Sequence, residues 1–263
     1  MTTDLLKPSC DSKTRFRKSQ KNTYGLLPGK EHSCPGATYG TGGCCHIPEG
    51  RKNRICYVDN LMKVYKAVGP LLQHNTELMK AANFDQKVEL LNTEFSRFRR
   101  IENRQSSPML YYRIHWSGDI YDKEYADALA KTMTDNSDIR FWCYTRSFFT
   151  TPILCDIPNL SLYLSLDPVN YAEGMSVYTQ YNRSDRHLAV CYMAKENDFD
   201  KFETTVRDVL TEQQLTDAVQ VSHAINPRYT ACPVDTGKLK TEGGCMACGK
   251  CIRPGPVNVW FKT

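Results

Sequence analysis

The stretch Met109-Leu110-Tyr111-Tyr112-Arg113-Ile114-His115, an amphipathic segment from Tyr125 to Met133, and then Ile139-Arg140-Phe141-Trp142-Cys143-Tyr144 decide the fold. Runs of aromatic and aliphatic residues read as strands, and a helical period between two of them makes a βαβ unit. Working outward, Leu160 to Leu166 reads as a third strand and His187 to Met193 as a fourth. Phe199 to Leu210 reads as a helix and Ala218 to Ser222 as a short fifth strand. Strands alternating with helices predict an α/β fold, either a largely parallel sheet or a partial β/α barrel. Upstream, Leu61, Val64, Tyr65 and Val68 recur at helical spacing up to Gly69-Pro70, which reads as a stop. A further helix is expected over Leu71 to Ala82, and another carries Val88, Leu91, Phe95 and Phe98 and ends near Arg100.

In a parallel sheet, function collects in the loops beyond the strands' carboxyl ends. Three unusual polar loops stand there: His115-Trp116-Ser117-Gly118-Asp119, Thr145-Arg146-Ser147 and Asp167-Pro168-Val169-Asn170. His115, Asp119 and Arg146 are the candidate catalytic side chains, although Asp119 could instead cap the helix that follows.

The chain has 263 residues, of which 41% are hydrophobic and 24% charged, a balance that supports a buried core. Residues 1–33 are polar and basic and read as an arm, and 34–263 as a single α/β domain. Met1 to Gln20 has no apolar leader, and no run is long enough to span a membrane, so a cytoplasmic protein is expected. The net charge of +5 allows a nucleic-acid or phosphate-bearing partner without requiring one. The full patterns GxxxxGK[ST], HExxH and GxSxG are absent from the sequence, which argues against P-loop, zincin and nucleophile-elbow chemistry.

Twelve cysteines are too few for a disulfide scaffold, and in a reducing compartment clustered thiols hold metal. Cys232, Cys245, Cys248 and Cys251 end in a CxxCxxC run, so four thiolates can close a tetrahedral site. Zinc and iron–sulfur clusters both accept four cysteines, and the CxxCxxC spacing favours a cluster. Cys34, Cys44, Cys45 and Cys56 form a looser set in a glycine-dense loop. Adjacent Cys44 and Cys45 do not easily reach one ion, so three ligands and an open metal position are expected. Cys143, Cys155 and Cys191 fall in or beside strands and read as core.

Cys34-Pro35-Gly36-Ala37, Gly50-Arg51-Lys52 with Cys56-Tyr57, Arg113 to Asp119, Arg140 to Arg146 and the closing cysteine run resemble a bacteriophage gene-product family, gene product 88-like, over about Pro28 to Arg253. That family is more distantly similar to radical S-adenosylmethionine iron–sulfur proteins. The resemblance implies [4Fe-4S] ligation by Cys34, Cys44 and Cys56, with Tyr57 in the accompanying aromatic position. It places Ser117, Gly118 and Asp119 where a Gly-Gly-Glu-like segment holds the methionine amino group, with Arg113 beside them. It implies a second, auxiliary cluster at the carboxyl-terminal cysteines. Here the ligands are spaced ten and twelve residues apart in place of CxxxCxxC, and Asp replaces Glu.

The resulting expectation is a phage-type iron–sulfur protein in the host cytoplasm, working as a radical or redox enzyme on a small-molecule or macromolecular substrate with an external electron donor. The alternative is a non-catalytic module, stabilised by zinc or a cluster, that binds nucleic acid or a host protein.

Overall fold

Alternation along Leu160-Ser161-Leu162-Tyr163-Leu164-Ser165-Leu166 sorts this strand into a leucine face and a mixed face. The computed structural model, which describes residues 4–9, 17, 19–183, 187–194, 230–234, 238–239, 244–252 and 258–262, turns the leucine face toward helices. The strands are β1 (Tyr111–Ile114), β2 (Arg140–Thr145), β3 (Leu160–Leu166), β4 (Leu188–Ala194), β5 (Thr230–Ala231) and β6 (Val259–Lys262). The helices are α1 (Tyr57–Val64), α2 (Val68–Ala81), α3 (Phe84–Glu102), α4 (Lys123–Asp135), α5 (Thr151–Leu154), α6 (Tyr171–Tyr181) and α7 (Gly244–Cys248).

The sheet has the order β1-β2-β3-β4-β6-β5, and every strand pair is parallel. Neighbours β1 to β4 follow chain order, so right-handed crossovers put their helices on one face. This is the order of a β/α barrel wall, but the described strands form an open sheet. Tyr112, Phe141, Leu162, Leu164 and Val190 pack there against Phe95, Leu129 and Met175 in the main core. The opposite face carries Trp142 under Ile252, and Tyr163, Ala189 and Cys191 beside Cys232 and Val259.

Local chemistry explains the helix bounds. Asn83 and Gln86 form a reciprocal capping box at the start of α3, and Asp122, not Asp119, caps α4 by accepting from Tyr125 N. Gly69-Pro70 opens a helix instead of ending one. Pro70 sits in the first turn of α2, where a missing N–H costs no internal hydrogen bond. The helix α6 has no counterpart in the sequence reading, and the expected elements over 199–210 and 218–222 lie outside the described residues.

Residues 22–26, within the expected arm, instead run along the free edge of β1. Arg113 N donates to Asn22 O at 2.8 Å, Trp116 N to Tyr24 O at 3.1 Å and Leu26 N to Ser117 O at 2.8 Å. Tyr24 and Leu26 are fully buried, so this segment seals an edge that would otherwise offer unpaired backbone groups. No helix among the described residues is long and apolar enough to cross a membrane.

Candidate functional site

The glycine-rich loop 29–56 folds back on itself through its own backbone. Cys34 N donates to Gly29 O, Cys45 N to Thr38 O, and Cys56 N to Cys44 O at 2.8 Å. That last bond sets Cys44 and Cys56 side by side at the entrance to α1. The loop lies on the carboxyl edge of the sheet because the loops after β1, β2 and β3 each grip it. Gly36 packs against the backbone carbonyl of Arg146, Ser33 Oγ accepts from Asp119 N at 3.3 Å, and Gly42 meets Pro168.

Asp167, at the end of β3, is the hub. Its Oδ2 accepts from Thr38 Oγ1 at 2.6 Å, from Cys44 N at 3.1 Å and from Arg146 Nη1 at 2.5 Å. Its Oδ1 accepts from Val169 N at 2.9 Å and Asn170 N at 3.3 Å. The Asp167 side chain is fully buried and that of Arg146 is 10% exposed, so five donors, one of them a cation, satisfy this carboxylate out of water. Arg146 also reaches Met193 Sδ at 3.4 Å. Asp119 makes a second clasp, accepting from Ile120 N, Thr145 Oγ1 and Arg146 N at 2.7, 2.7 and 2.8 Å. Burial nevertheless pushes its carboxyl up to about 6.

The four cysteines of this loop share one electrostatic neighbourhood. Burial, then the Asp119 charge, pushes the Cys34 thiol up to about 12, and Cys56 adds to the shift. Burial also raises Cys56, with Cys44 contributing. The sulfurs of Cys44 and Cys45 lie 3.9 Å apart. Their shared hydrogen bond holds Cys44 down, helped by Arg146 and Thr38, and drives Cys45 up. The loop's electrostatics therefore favour a thiolate more at Cys44 than at Cys34, Cys45 or Cys56.

Other residues singled out from sequence take different places. His115 has a left-handed backbone, φ 58°, which turns its ring into the helix-side core. There Nε2 lies 2.6 Å from the Tyr125 hydroxyl and the ring meets Tyr24 edge-on at 5.1 Å. Burial, then Arg113, lowers it to about 3. Ser117 Oγ donates to Leu26 O at 2.8 Å, and Gly118, φ 79°, has no room for a Cβ between Ser33 and Leu26. Both thus lock the β1 loop to the 22–33 segment. Arg113 lies on the other sheet face, over the Tyr144 ring at 5.3 Å. Thr38 and Met193 are site residues that the sequence reading missed, and Asp167 was named there only as part of the loop after the third strand, with no role of its own. The only signal available was an aspartate closing an apolar strand.

Because the folded His115 ring stays neutral while the unfolded ring protonates near 6.5, it withdraws stability as pH falls from about 6.5 toward 3. Its ring resonances in NMR spectra at pH 5 should be those of neutral imidazole. An imidazolium signature at that pH would contradict the buried placement.

At the other chain end, Cys232, Cys245, Cys248 and Cys251 all line one cavity of about 30 Å³ on the sheet face opposite the helices. The structure thus gathers each expected cysteine set in one place. The further expectation of metal-binding loops at both ends is not supported: among the described residues, no three His, Cys, Asp or Glu side chains form an assembled metal site. Cys143, Cys155 and Cys191 are buried, as their strand positions predict.

Fold and site together define a parallel α/β protein with a cysteine-lined loop clasped to the carboxyl edge of its sheet. Residues 3–254 match the family described as Gene product 88, and the chain belongs to that family. It is similar to the Gene 88 protein of Mycobacterium phage L5, with 37% identity over 244 residues, covering 92% of this chain and 87% of the relative. It is also similar to the Gene 88 protein of Mycobacterium phage D29, with 36% identity over 167 residues, covering 61% and 65%. No solved structure matches.

Proposed function

We propose that the protein is an iron–sulfur redox enzyme of radical S-adenosylmethionine type, with its cluster held by Cys34, Cys44 and Cys56 and with Cys45 as the spare thiol. The observation that carries this reading is the convergence of these cysteines on Asp119, Arg146 and Asp167 at the carboxyl edge of β1 to β3. The donor set fits such a group: soft sulfurs suit iron, and three of them leave one metal position open. When bound, a [4Fe-4S] cluster supplies one electron for reductive cleavage of S-adenosylmethionine.

The chain's own residues prepare that site. Arg146 places a buried positive charge beside Cys44, offsetting the negative charge that thiolate ligation brings. Asp167 fixes that guanidinium and the Cys44 backbone together. Asp119 has both oxygens engaged by its own scaffold, so it positions the β1 and β2 loops. Ser117 and Gly118 act with it as a clasp. Arg113, over the Tyr144 ring on the other sheet face, is assigned the orienting of cofactor or substrate. His115 lies in the core and is a positioning residue.

The test is incubation of anaerobically purified protein with dithionite and S-adenosylmethionine. Release of 5′-deoxyadenosine, abolished in Cys56→Ala, is expected. No release, together with an electron paramagnetic resonance spectrum unchanged by the cofactor, would reduce the protein to an electron-transfer or structural cluster carrier.

One observation favours the second reading, a nucleic-acid-binding module. Tyr39, Tyr57 and Tyr65 are all large exposed rings, and exposed Arg51, Lys52, Lys63 and Lys66 lie among them in sequence. Stacking rings with interspersed cations suit a single strand. Oligonucleotide binding that falls steeply with added salt, in protein lacking iron, would support it.

A further inference from the structure

We propose that Tyr125 is a redox-active tyrosine: a one-electron oxidant, such as an oxygen-derived radical, takes an electron from its ring by way of Tyr121, and the phenolic proton moves to Nε2 of His115. The products are a neutral Tyr125 phenoxyl radical, a His115 imidazolium and the oxidant reduced by one electron. The inference draws nothing from either cysteine set.

Hydrogen bonding fixes the direction of the proton. The Tyr125 hydroxyl lies 2.5 Å from that of Tyr24 and 2.6 Å from His115 Nε2, and all three side chains are buried. Among the described residues His115 Nδ1 has no partner, and the Tyr24 hydroxyl has none besides Tyr125. If Nε2 donated to Tyr125, then Tyr125 would donate to Tyr24, and both the Tyr24 hydrogen and the Nδ1 lone pair would be orphaned. If Tyr24 donates to Tyr125 and Tyr125 to His115, only the Nδ1 hydrogen is. Each buried orphan costs free energy, so the second arrangement holds.

Burial pushes the Tyr125 phenol far up and, together with Arg113, the His115 imidazole down to about 3. The pair is therefore neutral before oxidation. Loss of an electron makes a phenol a far stronger acid than an imidazolium, so the proton then crosses even to this weak base. Among the described residues His115 is the only non-glycine with a left-handed backbone, φ 58°, a cost that brings Nε2 to the phenol.

The buried ring also has an electronic route outward. Tyr121 stacks on Tyr125 with centroids 4.8 Å and planes 19° apart, and Tyr121 is only partly buried. The oxidising charge does not rest on Tyr121. Its hydroxyl donates to Met79 O at 2.9 Å, a carbonyl too weakly basic to keep a proton. Lys80 Nζ lies 5.6 Å from its ring centroid, where a cation disfavours positive charge on the ring. Tyr24 in turn faces a phenol. Of the three rings, Tyr125 alone presents its proton to a base.

The experiment is flash oxidation of the full chain by photogenerated tris(bipyridine)ruthenium(III), read by electron paramagnetic resonance, beside Tyr125→Phe and His115→Asn. Phenylalanine keeps the buried ring, asparagine tolerates the left-handed backbone, and near-ultraviolet circular dichroism checks that both variants fold. The wild type should give a long-lived tyrosyl signal whose hyperfine couplings include an imidazole nitrogen. Tyr125→Phe should keep only the short-lived signal of exposed tyrosines such as Tyr39 and Tyr65, and His115→Asn should shorten the long-lived signal several-fold. Should a variant fail to fold, the wild-type imidazole coupling decides. A wild type showing only short-lived signals or no such coupling, the same long-lived signal in Tyr125→Phe, or an unchanged lifetime in His115→Asn would overturn the proposal and leave a structural hydrogen-bond network.

Discussion

Asp167→Ala is expected to cost about 3–5 kcal/mol of folding stability, because it strands the Arg146 guanidinium without its buried partner. The pair has Asp167 fully enclosed and Arg146 only 10% exposed, so solvent does little to soften the loss. The same substitution leaves Thr38 Oγ1 and Cys44 N without their acceptor, which frees the cysteine loop from β3. Chemical denaturation of reduced, metal-free protein measures the first effect, and iron retention after anaerobic purification measures the second. Asp167→Asn keeps the shape and one amide oxygen, and should lose less on both counts. A loss under about 1 kcal/mol for the alanine variant would show that the pair is not the anchor described, since exposed pairs contribute only that much.

Gly36→Ala should act at the same interface from the opposite side. A Cβ at residue 36 would lie 2.1 Å from the Arg146 carbonyl oxygen and 2.6 Å from its carbon. Those atoms are backbone directly after β2, held by the Asp119 clasp on Arg146 N, so the loop itself must lift. Overpacking of this kind costs about 1–3 kcal/mol, sometimes more. Gly69→Ala provides the contrast. Nothing lies within 4 Å of its added Cβ and its φ is unremarkable, so its stability should stay within about 0.5 kcal/mol. Equal effects from both variants, read as shifts in denaturation midpoint, would mean that Gly36 is not a contact point.

The sheet was legible because its signals are local. Tyr111-Tyr112-Arg113-Ile114, Arg140 to Thr145 and Leu160 to Leu166 each carry enough apolar residues, at the right alternation, to announce a strand unaided. The helix α6 was not legible, because Gly174 interrupts its pattern. That glycine exists for a tertiary reason: a Cβ there would strike Leu166 Cδ2 at 2.1 Å. Gly69-Pro70 was misread because the same dipeptide can stop a helix or start one, and only the preceding turn decides.

At the site, sequence spacing identified both cysteine sets but not what holds them. Asp167 clasps Thr38, 129 positions away, and no local pattern encodes such a pair. His115 shows the reverse error. Its position after a strand suggested chemistry, yet one left-handed backbone angle turns it to Tyr125 and the core. Asp119 was found for the right reason, its place at a strand's carboxyl end, but its bonds are those of a clasp.

On the proposed reading, Cys34, Cys44 and Cys56 hold an iron–sulfur cluster. Iron, acid-labile sulfide and zinc per chain, measured on anaerobically purified wild type beside Cys56→Ala, test it most directly. Iron and acid-labile sulfide in equal amounts are expected in the wild type, with about four of each lost in Cys56→Ala. Colourless wild-type protein carrying zinc but neither iron nor sulfide would contradict it.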